Sequence, residues 1–369
     1  MDGDPKYMAE ALRLARRGLG RTRPNPAVGA VVVKDGKIVG RGYHRHCGAP
    51  HAEVEALNRA GSEAKGADLY VTLEPCGHAG RTPPCAFAIL QAGIRRVFFG
   101  CPDPNPITAG KGPAMLRQAG VTVCEGPLIE EARRFNAPYL KWVTARIPFV
   151  TAKWAMTLDG KIGTKTGQAR WITGERARRA VHRLRNQVDA ILVGTNTVLK
   201  DDPLLTCRLR GGRTPLRVVL DRRGRIPLDC ALFSSLSEGP VIVYTAEERK
   251  AEVEALRSRG IETVCLPEQQ EELDLGALLK DLGGREIQHL LVEGGGTLLG
   301  SFFDGGFVDR LLVFVAPKVV GGAGAVTPVA GRGVASMSEA LGFEVTRIER
   351  FGQDLAVWAE REEIKRAEP

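Results

Sequence analysis

Residues 51–85 read HAEVEALNRAGSEAKGADLYVTLEPCGHAGRTPPC, and this stretch decides the fold. Its first part follows a proline and repeats apolar residues at helical spacing, which predicts a helix. ADLYVTLEP is a short apolar run that predicts a strand. PPCAFAILQAG predicts a second helix, again opening at prolines. Helix, strand and helix in so short a span mark an α/β layered domain. Working outward, AVVVKDGKIVGRGYH (30–44) predicts a hairpin with Asp35-Gly36 near its turn. Before it, Met8, Leu12, Ala15 and Leu19 predict a helix from about Tyr7 to Leu19. After it, RRVFFGCPDP and VTVCEG predict strands, and MLRQAG and LIEEARRFNAPYLKWV predict helices. The first domain therefore occupies residues 1–146.

Residues 147–369 form a second α/β domain. IPFVTAKWAM opens it, and TGERARRAVHRLRNQ is a polar helix. DAILVGTNTVL, PLRVVLD, GPVIVYTA and EIQHLLVEGGG predict buried strands, and AEVEALRSRG is a helix between two of them. A chain of 369 residues is long enough for two cores. Its 43% apolar and 26% charged residues exclude a largely disordered chain. Mean hydropathy of −0.12, with no apolar run of spanning length, excludes a helical membrane protein. The early acids of MDGDPKYMAE and the missing apolar core of a signal peptide lead us to expect a cytoplasmic protein. Eight cysteines in such a chain read as thiols or metal ligands before disulfides. Net charge is +9, of which residues 1–146 carry +8. That asymmetry suggests an anionic partner, a phosphorylated small molecule or a nucleic acid; plain solubility is the bland alternative.

Three residues of the opening stretch have the chemistry of a catalytic zinc site: His51, Cys76 and Cys85. Three protein ligands leave one position for water, whose pKa the metal lowers to about 7. Glu53, two residues from His51, is free to move the proton. H-x-E followed by P-C-x-x-C is the pattern of zinc nucleobase deaminases. Here eight residues, GHAGRTPP, separate the cysteines instead of two. In the second domain, LLVEGGGTLLGSFF (290–303) is a strand, three glycines and a helix, an arrangement that suits a phosphate but also serves as an empty turn. Lys153 sits in an apolar strand, where a lysine needs a reason.

With these blocks on the page, the chain resembles the bifunctional riboflavin-biosynthesis deaminase–reductases. PCGHAGRTPPC (75–85) is similar to that family's long form of the zinc motif. PNPAVG, GYHRHCGAPHAEVEAL and CPDPNPITAGKG are similar to its other blocks. The resemblance implies a cytidine-deaminase-like three-layer α/β/α domain followed by a dihydrofolate-reductase-like α/β domain. It implies zinc on His51, Cys76 and Cys85, one ion per chain, with Glu53 as proton donor. The implied reaction is hydrolytic deamination of 2,5-diamino-6-ribosylamino-4(3H)-pyrimidinone 5′-phosphate. His78 and Arg81, in the loop between the cysteines, would reach the phosphate. Asn25, His44, Asp103 and Asn105 would line the pyrimidine pocket. Asn25 and Asp103 are equally readable as turn residues, and His44 as a core histidine.

The second domain would reduce the ribosyl group of the deaminated product with NADPH. Ala155, Trp171, Thr197, Asp201, Gly294, Gly295, Gly296 and Thr297 would face the cofactor. Ala169, Arg185, Leu204, Arg208 and Glu293 would face the substrate, with Ala169 standing where the family often has serine. Lys153 would act at the sugar. Arg223 would meet the cofactor's 2′-phosphate, or else water. The resemblance further implies a homo-oligomer acting on phosphorylated pyrimidines, with no nucleic-acid or membrane partner. A zinc deaminase acting on RNA and a non-catalytic zinc-stabilised binding protein are the competing readings.

Overall fold

The structure, a computed structural model, describes residues 3–78, 83–247, 249–269 and 271–362. The chain divides into two compact units, residues 1–147 and 148–369.

In the first unit, helix α1 (Pro5–Ala15) starts where Asp4 caps it and Pro5 presets its first turn. It stops short of the predicted Leu19; turns take over from Arg16. Strands β1 (Gly29–Lys34) and β2 (Lys37–Tyr43) form the expected hairpin. Asp35 and Gly36 both have positive φ, as a two-residue hairpin turn demands. Helix α2 (Ala52–Ala60), strand β3 (Asp68–Val71), helix α3 (Cys85–Gln91), strand β4 (Arg96–Phe99), helix α4 (Lys111–Gln118), strand β5 (Thr122–Glu125) and helix α5 (Ile129–Ala145) follow. The sheet order is β2-β1-β3-β4-β5, with β3, β4 and β5 parallel.

Alternate residues of the strands serve two cores. Ala30, Val32, Leu69, Val71, Val97 and Phe99 pack with Ala52, Ala56, Ile89 and Leu116 from α2, α3 and α4. Val31, Val33, Tyr70 and Phe98 pack with Met8, Leu12, Tyr139 and Trp142 from α1 and α5. Both faces of the sheet are thus covered, which gives three layers. Helix α2 lies so close to β2 that a Cβ on Gly42 would fall 2.1 Å from the carbonyl oxygen of Ala52. That close approach sets the height of the turn carrying His51 and Glu53 above the sheet.

The second unit is built on one nine-stranded sheet. Its strands are β6 (Phe149–Thr157), β7 (Ala190–Gly194), β8 (Leu216–Leu220), β9 (Val241–Ala246) and β10 (Glu262–Leu266). A two-stranded ribbon, β11 (Glu268–Gln269) and β12 (Glu272–Leu273), stands apart. β13 (His289–Glu293), β14 (Arg310–Ala316), β15 (Phe343–Phe351) and β16 (Asp354–Arg361) complete the set. The order is β10-β9-β8-β7-β13-β6-β14-β16-β15. All pairs are parallel from β10 to β14, and the last two strands run antiparallel.

The helices are α6 (Glu175–Arg185), α7 (Thr195–Asp201), α8 (Ala231–Ser234), α9 (Lys250–Arg257), α10 (Leu275–Gly284) and α11 (Gly296–Asp304). Ile191, Val193, Val219, Val243 and Leu291 form one core with Val181 and Leu184 of α6. Strand residues of the other parity, Leu192, Val218, Leu290 and Val292, are buried as well.

Two local features depart from the sequence reading. TNTVL is not the end of a strand but helix α7, which begins where the Thr195 hydroxyl bonds to the Leu220 carbonyl and to Asp221. The hairpin β15–β16 does not show in the sequence, because β15 buries no residue and so lacks the alternation of a half-buried strand. Among the described residues no helix is long and apolar enough to cross a membrane.

His289, at the head of β13, bonds through Nε2 to the Thr151 hydroxyl at 2.8 Å and stands edge-on to Phe149. Burial, helped by nearby Arg310, pulls its pKa down to about 3. The ring is neutral in the folded chain, whereas an unfolded histidine takes its proton near pH 6.5. Its contribution to stability is complete above pH 6.5 and is lost as pH falls toward 3, with a slope of about 1.4 kcal/mol per pH unit. We expect the unfolding midpoint of the second unit to drop between pH 7 and pH 5, and His289→Gln to flatten that drop. Equal slopes in urea titrations of the two proteins would contradict the assignment.

Candidate active sites

The first site lies in a cavity of about 280 Å³ in the first unit. His51 is the N-cap of α2, Cys85 is the first residue of α3, and Cys76 follows β3 on its loop. A ring nitrogen of His51 and the Cys76 and Cys85 Sγ atoms all lie within 4.8 Å of one another. Cys76 Sγ is 3.6 Å from His51 Nδ1 and 3.1 Å from Cys85 Sγ. The Cys76 backbone N–H donates to Cys85 Sγ at 3.0 Å. A hydrogen bond from Cys85, with further help from His51, pulls the Cys76 thiol down to about 4 in spite of burial. Burial pushes the Cys85 thiol up. Two sulfurs and one imidazole converging on a point are a donor set that suits zinc with one position left over.

Glu53 lies in the first turn of α2, is 3% exposed and lines the same cavity. Burial pushes its carboxyl up. His44 is held at both ring nitrogens: Nδ1 lies 3.1 Å from the Pro50 carbonyl and Nε2 lies 3.1 Å from Asn25 Nδ2. A carbonyl only accepts, so Nδ1 carries the proton and the Asn25 amide donates to Nε2. Burial also lowers the His44 pKa, in keeping with a neutral ring. His44 is therefore a satisfied histidine that aims Asn25, and both line the cavity.

Asp103 is buried and accepts from the Asn105 N–H, the Thr108 hydroxyl and the Tyr139 hydroxyl. Glu74 accepts from the Gly110 N–H at 2.6 Å and fastens the same loop from the other end. Asn105 and His78 line the cavity too, whereas Arg81 lies outside the described residues. Sequence reasoning missed Glu74, Thr108 and Tyr139. Glu74 and Thr108 stand inside quoted motifs, but Tyr139 is 36 residues from Asp103 and only folding reveals it.

The second site lies at the C-terminal ends of parallel strands in the second unit. Lys153 and Glu293 are register partners on β6 and β13. Lys153 Nζ is 3.5 Å from Glu293 Oε2. Arg185, closing α6, donates from Nε to Oε1 at 3.1 Å and from Nη2 to Oε2 at 2.9 Å. Its Nη1 donates to the Thr206 carbonyl at 3.3 Å. Burial opposes the Glu293 charge, but Arg185 and Lys153 outweigh it and hold the carboxyl at about 2. Glu293, expected at the substrate, is also the anion that holds Lys153 and Arg185 in place.

The other residues expected in this site lie on β6, on α7 and on the loops that follow strands and helices of the same unit. Ala155 is two residues beyond Lys153 on β6, so its side chain leaves the same face. Thr197 is in α7 directly after β7, and exposed Arg223 follows β8. Half-buried Leu204 and exposed Arg208 lie in the loop after α7, and Ala169 is half-buried. Arg170 reaches the Asp201 carbonyl and lies 3.8 Å from its carboxylate. Trp171 is 60% exposed, with the Arg178 guanidinium 4.5 Å from its ring centre.

Gly294, Gly295 and Gly296 join β13 to α11. A Cβ on Gly294 or Gly296 would meet a neighbour at 2.8 Å, but one on Gly295 would meet nothing within 4 Å. Gly295 also has an ordinary φ of −74°. Among the described residues nothing demands glycine there, which fits a ligand phosphate approaching the head of α11.

A family model described as the RibD C-terminal domain matches residues 148–357, and one described as the cytidine and deoxycytidylate deaminase zinc-binding region matches residues 1–101. Riboflavin biosynthesis protein RibD of Aquifex aeolicus is 46% identical over 359 residues, covering 97% of this chain and 98% of that one. Acinetobacter baumannii RibD superposes with a TM-score of 0.84 at 36% identity, covering 96% of this chain and 98% of that one. A Thermotoga maritima structure described as a diaminohydroxyphosphoribosylaminopyrimidine deaminase/5-amino-6-(5-phosphoribosylamino)uracil reductase gives 0.84 at 38% identity, with the same coverage. With a zinc-type donor cluster in one unit, a half-buried charge triad in the other and likeness along nearly its full length, the chain belongs to the RibD family of bifunctional riboflavin-biosynthesis deaminase–reductases.

Proposed function

We propose that the first unit releases ammonia from 2,5-diamino-6-ribosylamino-4(3H)-pyrimidinone 5′-phosphate and that the second reduces the ribosyl group of the resulting uracil to ribityl. The observation that carries this reading is the meeting of His51, Cys76 and Cys85 in one cavity with buried Glu53. One zinc per chain, held by those three residues, would supply the Lewis acidity that makes water a nucleophile at neutral pH. Glu53 takes a proton from the attacking water and returns it to the departing amine, so ammonia leaves as oxygen replaces nitrogen on the ring. A buried carboxyl with its pKa pushed up suits both halves of that transfer. Asn25, aimed by His44, orients the pyrimidine, and Asn105 and His78 close the cavity around it. Arg81 is proposed for the phosphate on its chemistry alone.

In the second unit the cofactor is NADPH, which would supply the hydride. Bare Gly295, with Gly294, Gly296 and Thr297, receives its phosphates at the head of α11. Ala155, Trp171, Thr197 and Asp201 line its path, and Arg223 meets the 2′-phosphate. Lys153, positioned by Glu293, bonds to the opened sugar as C1′ accepts hydride. Arg185, Leu204 and Arg208 hold the substrate, with Ala169 beside them. The +8 of residues 1–146 complements phosphorylated substrates. The chain works as a cytoplasmic homo-oligomer without nucleic-acid or membrane partners.

The test is NADPH oxidation by purified zinc-loaded protein given the diaminopyrimidine substrate. Glu53→Ala is expected to cut ammonia release by roughly a thousandfold while zinc content stays at one per chain. In that variant NADPH oxidation should return when the deaminated product is supplied directly. Full ammonia release would remove Glu53 from the mechanism. Lys153→Ala should slow NADPH oxidation by about a hundredfold and leave NADPH affinity within about twofold. Unchanged turnover would reject the lysine assignment.

A further inference from the structure

Arg217, in the middle of the second unit, is 0% exposed, and none of its hydrogen-bond partners is a carboxylate. Nη1 donates to the Ser235 hydroxyl at 2.7 Å, the Leu204 carbonyl at 3.1 Å and the Leu232 carbonyl at 3.4 Å. Nη2 donates to the Ser235 carbonyl at 2.9 Å and to the Gly239 carbonyl. A buried cation given over to neutral oxygens is a costly way to fill a core position. Four of the five bonds serve one turn, residues 232–239. The fifth crosses to a different segment, at Leu204.

That segment is the loop after α7. Two residues beyond Leu204, the Thr206 carbonyl accepts from Arg185, the same guanidinium that grips Glu293. Between the two held carbonyls lies Leu205, buried and with φ at +55°, a left-handed conformation that leucine adopts at a cost. The loop keeps this shape because buried Arg217 and half-buried Arg185 hold it on either side. α6 adds the Arg208 N–H bonded to His182 Nδ1 at 3.4 Å.

We infer that Arg217 is a positioning residue for the reductase site, acting through the Leu204 carbonyl to fix the loop that presents Leu204 and Arg208 to the substrate. It touches no reacting group itself. This rests on the reading of residues 204–208 as a substrate loop.

The test compares Arg217→Met, Arg217→Lys and Ser235→Ala in the full chain. Ser235→Ala removes the hydroxyl that accepts from Arg217 and donates to the Leu232 carbonyl, and leaves the bond to Leu204. Amide hydrogen exchange over residues 203–208 reads the loop without needing turnover. Kinetics with 5-amino-6-(5-phosphoribosylamino)uracil and NADPH read the site, and ammonia release from the diaminopyrimidine reports on the untouched first unit. Arg217→Met is expected to raise exchange in the loop and to raise KM for the uracil substrate roughly tenfold. kcat and NADPH affinity should stay within about twofold, and ammonia release should not change. Arg217→Lys should recover part of the loss, and Ser235→Ala should match the parent chain. Unchanged exchange and KM in Arg217→Met would overturn the inference, as would equal effects in Ser235→Ala, which would mean general loosening of the turn. If Arg217→Met fails to fold, Arg217→Lys against Ser235→Ala decides by the same measures. A parent chain that oxidised no NADPH with this substrate would instead overturn the substrate assignment, and the exchange pattern would then decide the role of Arg217.

Discussion

A carboxylate shut away from water keeps its charge only while its cations stay beside it. Glu293 is that carboxylate in the second unit, and Arg185 and Lys153 are the cations. Removing one partner from such a buried set costs on the order of 3–5 kcal/mol, because the others are left uncompensated. The three come from β13, α6 and β6, so the cluster joins the central strands to the helix beside them. The same Arg185 also ties down the Thr206 carbonyl. Chemistry and architecture are therefore hard to separate here, since the groups that would act on the sugar also fasten the fold.

The first unit solves a similar problem with neutral groups. His44 is fixed by a carbonyl on one side and an amide on the other, so its tautomer is dictated by the chain. Asp103 is surrounded by three donors, and Glu74 accepts from two backbone N–H groups. These residues line the same cavity as the donor cluster. Burial pushes the carboxyls of Glu53, Glu74 and Asp103 upward in this cavity, and of the three Glu53 stands at the head of α2, two residues from His51.

What could be read from the sequence follows sequence distance. His51 and Glu53 share one helical turn, and Cys76 and Cys85 flank one loop, so their pattern was visible before folding. The Asp35-Gly36 turn announced its hairpin for the same reason. Tyr139 gave no signal, because its meeting with Asp103 depends on where α5 packs. TNTVL was misread because its β-branched residues prolong the apolar pattern of β7; the Thr195 hydroxyl bonds that start α7 are tertiary. The contact of Glu293 with Arg185 gave no signal either, since it spans 108 residues. Arg217 stood inside a run that reads as an ordinary buried strand.

The sheet order carries a temporal meaning. β6 is the first strand of its unit to be synthesised, yet its two neighbours are β13 and β14. A nascent chain that has reached residue 288 holds every strand of the first sheet and leaves β6 without either edge paired. Lys153 then waits 140 residues for Glu293. Such long-range closure is slow compared with local folding, and domains emerging first tend to fold first. On the ribosome the metal-type cluster can be complete while the charge triad is still half unmade, so chains truncated before β13 would carry one site of the two.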